Sequence, residues 1–190
     1  MSALLDSLSA GFNGDAARRA VLDEALRDGL PGPRTEAWKY TSLRQLERRS
    51  FAGVDAAPAV DPMVLADIPA PRAVFVNGRY SVALSLTTDL PDGVSLQLLS
   101  EALAEGGDAA RFLQRRFERG DEVFARLNAA LATEGVLLRA EEGARSEQPL
   151  HLVFIGAEDG TDRAWHLRNL IELRAGAALT VVEHHVAIGT

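Results

Sequence analysis

The feature that most constrains this chain is a change of texture at Gly135. Before it, apolar residues recur at helical spacing. After it, GVLLRA, LHLVFI, HLRNLIEL and ALTVVEHHV form short β-rich segments split by Gly, Asp and Glu turns. No helical period lies between these segments. The fold class is therefore α+β, with residues 1–134 mainly helical and residues 135–190 built from strands. Short strands without helices between them suit a sandwich, a barrel or a β-solenoid, and their irregular spacing does not choose among the three.

The helical half carries its own punctuation. Leu4, Leu5, Leu8 and Phe12 share a helix face, with Gly11 and Gly14 marking its end. Asp15 is placed to cap a second helix with Ala17, Val21, Leu22, Ala25 and Leu26 inward, and Gly29, Pro31 and Pro33 stop it. The string RTEAWKYTSLRQLERR, Arg34 to Arg49, reads as a third helical stretch. Ser42 and Gln45 have capping-box spacing there, and Leu43 and Leu46 supply a buried stripe. Residues 52–71, rich in Ala, Pro and Asp, suit a segment draped over a surface. A hairpin is expected near 73–86, where AVFV and RYSVALSL flank Asn77-Gly78, a pair tolerant of positive φ. Ser100, Asp108 and Asp121 are expected N-caps of three more helices, with Gly106, Gly120 and Gly135 as stops.

Composition narrows function. Lys and Arg number 20 against 27 Asp and Glu, a net charge of −7, and nucleic-acid binding needs the opposite balance. The one arginine-dense stretch, Arg111 to Arg119, is interleaved with Phe112, Leu113 and Phe117 and reads as the polar face of a helix. There is no cysteine, which excludes disulfides, thiolate metal sites and a cysteine nucleophile, and fits a cytoplasmic location. Leu4, Leu5 and Leu8 lack a preceding basic region, and runs such as Leu152 to Ile155 are too short to span a bilayer, so no signal peptide and no membrane partner are expected.

Several residues invite a chemical reading. Trp38, Lys39 and Tyr40 could form a binding platform; the plainer expectation is that Trp38 anchors the second and third helices while Tyr40 is hydrogen-bonded at the rim. Glu183, His184 and His185 resemble metal ligands, and His151 and His166 complete the histidines. On a strand, however, His184 shares a face with Val182 and Val186, and His185 with Glu183 and Val181. Glu183 and His185 are the weak metal candidates, half a site unless His151 or His166 lies on a neighbouring strand. Otherwise no metal site and no catalytic residue is expected. Asn169 suits a ladder or a turn cap, and Gly176 a corner. No phosphate loop and no G-x-S-x-G serine are present.

The ordered strings RTEAWKYT (Arg34, Glu36, Trp38, Lys39, Tyr40, Thr41), FVNGRY (Phe75 to Tyr80), LNAAL with GVLL (Leu127 to Leu138), HLRNLIEL and LTVVEHH resemble the SufB/SufD family of iron–sulfur cluster assembly proteins, on its SufD side. The resemblance covers the whole chain but only the N-terminal part of a family member. It implies a helical N-terminal domain followed by the first rungs of a right-handed parallel β-helix, truncated here. It also implies a non-catalytic scaffold acting with a SufB-like scaffold and a SufC-like ATPase, the iron–sulfur cluster being assembled by the whole complex, with no cofactor held by this fragment. The family's cluster-assembly Cys and His and its ATPase contact would lie beyond Thr190, so no family site residue is carried onto this sequence.

Two other readings stand beside it. A β-helix carbohydrate-active enzyme would need charged side chains massed on an outward strand face, where only scattered ones such as Glu172 and Arg174 occur. A stand-alone metal-binding β-domain would rest on the histidines. The sequence stops directly after a strand with no cap. The stretch from Leu179 to Val186 is therefore expected to be an open edge, where fraying or a homodimer would arise.

Overall fold

The computed structural model describes residues 2–106 and 121–189. The Arg111 to Arg119 stretch and the helix signals at Asp108 and Gly120 lie outside the described residues. The described chain is mixed α+β, with helices and two small sheets and no closed barrel.

Helix α1 (Ala3–Ala10) starts at Ser2, whose hydroxyl accepts from the Leu5 N–H, and α2 (Ala16–Asp28) starts at Asp15, whose carboxylate accepts from the Arg18 N–H. Gly29 closes α2 at φ +69°, as its sequence position implied. The buried face of α2 differs from expectation at one point: Ala17 is exposed, and Arg18 is buried in its stead. The third stretch is not one helix. It forms a 3-10 turn, Glu36–Trp38, and a four-residue helix α3 (Arg44–Glu47), preceded by Leu43 with no side-chain cap, so the Ser42–Gln45 capping box does not form. The segment is too short and too exposed to bury a stripe that would hold a longer helix together.

Helix α4 (Leu99–Glu105) begins one residue before Ser100. Its start is held by Glu101, whose carboxylate accepts from the Leu98 N–H, and Gly106 ends it at φ +72°. Ser100 is therefore inside the first turn and not the cap. Helix α5 (Val123–Leu131) likewise starts after Glu122 and not at Asp121. Leu5, Leu22, Ala25, Val123, Leu127 and Ala130 from α1, α2 and α5 form one buried cluster. Arg126 of α5 pairs with Asp28 of α2 across it.

The hairpin turns at Asn77-Gly78, joining β1 (Arg72–Val76) to β2 (Arg79–Tyr80) antiparallel, with Phe75 opposite Tyr80. Both turn residues have positive φ. The return strand is only two residues long; the chain then bends, and Leu86 comes back alone beside Arg72. All four later strand segments form strands: β4 (Val136–Ala140), β5 (Leu150–Ala157), β6 (Leu170–Leu173) and β7 (Val181–Ile188). With β3 (Val94–Leu98) they complete two sheets of order β2-β1-β5-β7 and β3-β4-β6. Strands from before Gly135 thus pair with strands from after it.

The later strands alternate between the sheets. β4 pairs in parallel with β6, and β5 in parallel with β7, so the chain winds through two coils. The corners stack as well: the Gly143 N–H donates to Ala175 O, the Ala178 N–H to Ala144 O, and Gly143 and Gly176 both take positive φ. Two coils fall short of a β-helix, which needs a repeating winding.

Between the sheets lie Ala73, Phe75, Leu150 and Leu152 from one and Val136 and Leu138 from the other, all buried. Burying each large side chain here contributes roughly 1.5–3 kcal/mol. The opposite face of β1 and β5 is covered by Leu65, Ile68 and Leu84, so the segment after residue 52 is draped over the sheet as its composition suggested.

Candidate functional site

Pairing fixes where each histidine faces. β5 and β7 run in register with Phe154 opposite His185 and Val153 opposite His184. Glu183 and His185 therefore lie on the face turned toward the second sheet, and His184 lies on the face covered by residues 60–68, with Val186 and Ile188. The two adjacent histidines point apart. The His185 ring stacks on Phe154 at 5.1 Å between centroids, and its Nε2 is 3.6 Å from the Glu183 carboxylate. Both side chains are exposed, because β7 is the outer strand of its sheet.

His151 does lie on the strand beside β7, but it meets His184, on the opposite face from Glu183 and His185. His151 Nδ1 and His184 Nε2 are 2.8 Å apart, one donating and the other accepting. His151 is buried, and that burial, followed by the neighbouring His184 and Arg72, holds its pKa below the ordinary imidazole value. Burial likewise lowers His166, to about 4. Among the described residues no three His, Cys, Asp or Glu side chains converge on a point that could hold a metal ion.

The Trp38 platform is also rearranged. Trp38 is half-buried, donates from Nε1 to the Asp121 carbonyl at 3.2 Å, and lies 5.4 Å from the Phe124 ring. It fastens its segment to the start of α5 rather than joining α2 to α3. Tyr40 is not a hydrogen-bonded rim residue. It is 92 % exposed, with Lys39 Nζ 5.4 Å from its ring. A four-residue helix gives Tyr40 no neighbouring surface to pack on.

Polar side chains stitch the coils together. Asn169 Oδ1 accepts from the Val136 N–H, and the Arg139 guanidinium grips Glu172 at 2.8 Å on the outer face of the second sheet. Gly176 does sit at a corner, with φ +69°. Arg174 is exposed and its N–H donates to Ala140 O. Glu172 and Arg174 therefore do not assemble a charged cleft.

The burial of Arg18, Asn77, Arg126 and Glu134 was not legible in the sequence. Arg18 donates to the Ala130 and Ala132 carbonyls, satisfying the open C-terminal end of α5, and its burial lowers its pKa. Asn77 exchanges two 2.8 Å hydrogen bonds with the Ala157 backbone, continuing the β1–β5 ladder through a side chain. Glu134 is buried beside the Ser100 hydroxyl; burial raises its pKa, against hydrogen bonds from Ser100 and the Gly135 backbone. A spacing signal existed for some of these contacts. Val136–Asn169 and Arg139–Glu172 are each 33 residues apart, the offset at which β4 and β6 pair, whereas His151–His184, also 33 apart, is a diagonal contact between strands paired at an offset of 31.

Known proteins share this arrangement of sequence. Residues 5–152 match the family described as SufBD protein N-terminal region. An iron–sulfur cluster assembly SufBD family protein of Synechocystis sp. is 30% identical over 167 residues, 85% of this chain and 36% of its own length. The iron–sulfur cluster assembly protein SufD of Escherichia coli is 31% identical over 172 residues, 88% of this chain and 38% of its own length. The chain spans under two-fifths of these curated relatives. With α2 to α5, the hairpin, β3 and β4 all inside the matched residues, the chain belongs to the SufBD family and carries its N-terminal region.

Proposed function

We propose that this protein is a scaffold subunit of an iron–sulfur cluster assembly complex, working with a SufB-like scaffold and a SufC-like ATPase. The observation that carries the reading is the family match over residues 5–152, together with relatives named for iron–sulfur cluster assembly. The cluster is the cargo of the whole complex. In this reading the chain contributes structure: helices packed against two coils whose open strands, β6 and β7, are the start of a longer right-handed parallel β-helix. The reading assigns the chain no catalytic group. A cytoplasmic setting follows from the same reading. Among the described residues no helix is long and apolar enough to cross a membrane.

The test is reconstitution. SufB-like and SufC-like proteins are supplied with iron, sulfide and ATP, with and without this protein, and cluster absorbance is followed. The reading expects cluster yield or transfer to an apoprotein to drop when this protein is omitted. Equal yield and transfer in both mixtures would oppose it.

A further inference from the structure

A cavity of about 390 Å³ opens where α1 and the end of α5 meet the β1–β2 turn and the paired segments around Ala52 and Arg163. That volume lies in the range of small-molecule sites. Arg18, Arg79 and Arg163 all line it, with His166 and the indole of Trp165. In a chain with a net charge of −7, three guanidinium groups at one cavity are a local reversal.

Each arginine is held in place by groups other than a ligand. Arg18 donates from Nε to Ala130 O at 3.0 Å and from Nη2 to Ala132 O. Arg79 directs Nε and Nη2 at Val54 O, 2.9 and 2.6 Å away. Arg163 donates from Nε to Asp159 at 2.8 Å and from Nη1 to Gly53 O at 2.7 Å. Each guanidinium therefore keeps one terminal nitrogen, Nη1 of Arg18 and Arg79 and Nη2 of Arg163, with no hydrogen bond among the described residues. The buried Nε2 of His166 has no partner either. Asp55 is the single carboxylate in the lining. Asp15 beside Arg18, Glu134 acting on Arg79 and Asp159 on Arg163 offset part of the positive charge. What distinguishes the cavity is then its supply of fixed, uncommitted donors, which suit a ligand rich in acceptor oxygens.

The wall beside them is aromatic. Trp165 is 38% exposed although its Cβ would crowd any side chain at Gly78, where an added Cβ would lie 2.4 Å away. Gly78 thus lets the hairpin turn and the indole approach, and Trp165 lines the cavity. An indole held there presents a flat surface for a ring.

We propose that this cavity is a binding site for a small organic anion whose phosphate or carboxylate group meets Arg18, Arg79 and Arg163 and whose planar part lies against Trp165. Rigid arginines that need not reorganise lose little entropy on binding, so affinity depends on them more than on net charge.

The chain has two tryptophans, so Trp38→Phe makes Trp165 the sole indole reporter. Its emission is titrated in the purified protein with phenyl phosphate, benzoate and benzyl alcohol, which share a ring and differ in head group. A saturable response to phenyl phosphate, benzoate or both, with a dissociation constant at or below about 1 mM, is expected, and the stronger of the two identifies the head group. Benzyl alcohol should bind at least tenfold more weakly. Arg79→Gln should weaken the anions at least tenfold, whereas Arg139→Gln, on the outer face of the second sheet, should leave them unchanged. Should Arg79→Gln fail to fold, added NaCl serves the same purpose, weakening the anions and sparing the alcohol. No saturable response to either anion, or an equal response to the alcohol, would overturn the proposal. Insensitivity to both Arg79→Gln and salt would do the same.

Discussion

At the scale of single residues, two backbone requirements are sharp. Gly135 takes φ +143°, and a Cβ added there would lie 1.9 Å from the Arg168 carbonyl oxygen. Gly135→Ala should therefore cost more than the roughly 1–3 kcal/mol of the backbone strain alone, read as a lowered urea midpoint. Asn77 is 1 % exposed and satisfies both polar groups of Ala157. Asn77→Ala should cost about 2–6 kcal/mol by stranding two part-buried groups, at about 1–3 kcal/mol each. A loss under half a kcal/mol would mean that water reaches the Ala157 backbone. His166 gives a pH test. Its folded pKa of about 4 is below the unfolded 6.5, so the unfolded chain binds the extra proton between those values. The stability it contributes is full above pH 6.5 and is lost as pH falls toward 4, on the order of 3 kcal/mol in all. Glu134, with its raised pKa, acts in the opposite sense. The measurement is thus the difference in urea midpoint between the native protein and His166→Asn from pH 7 to pH 4.5. The gap should change with pH, and a constant gap would count against a buried neutral imidazole.

At the scale of elements, what the sequence made legible was what local chemistry decides. Asp15 and Gly29 bound α2, Asn77-Gly78 turns the hairpin, and four apolar runs after Gly135 become β4 to β7. What stayed hidden depends on partners distant in sequence. Ser42–Gln45 has the spacing of a cap, but spacing alone cannot build a helix without a surface to bury. Arg18 reads as a solvent-facing residue until α5 places two open carbonyls beside it. His151 and His184 meet only because β5 and β7 are paired in parallel. Trp38 shows the same limit, since its partners Asp121 and Phe124, at the start of α5, lie more than 80 residues away. Being half-buried, it should lose about 1–3 kcal/mol in Trp38→Ala, below the 3–5 kcal/mol of a fully emptied core site. Trp38→Phe should lose about 1 kcal/mol with the Asp121 hydrogen bond. The strands differ as well. β5 is paired on both sides and β7 on one, so in the 190-residue chain the amides of Leu150–Ala157 should exchange more slowly than those of Val181–Ile188. Equal protection would show that something covers the β7 edge.

At the scale of the whole molecule, the open side of both sheets gathers the features that a compact domain would hide. Ile171 and Leu173 are in register with Leu138 and Ala140, whose side chains are buried, yet they are 44% and 51% exposed. They belong to the layer between the sheets, and among the described residues no strand pairs with the free edge of β6. Glu183 and His185 face the same layer from β7. The chain spans under two-fifths of its curated relatives. The central claim, that the protein serves as a scaffold with SufB-like and SufC-like partners, is tested most directly by co-purification. A tagged form is expressed with both candidates and passed over an affinity column, then a sizing column. The account predicts one peak holding all three proteins in fixed ratio. Elution of this protein by itself, with neither partner retained, would contradict it.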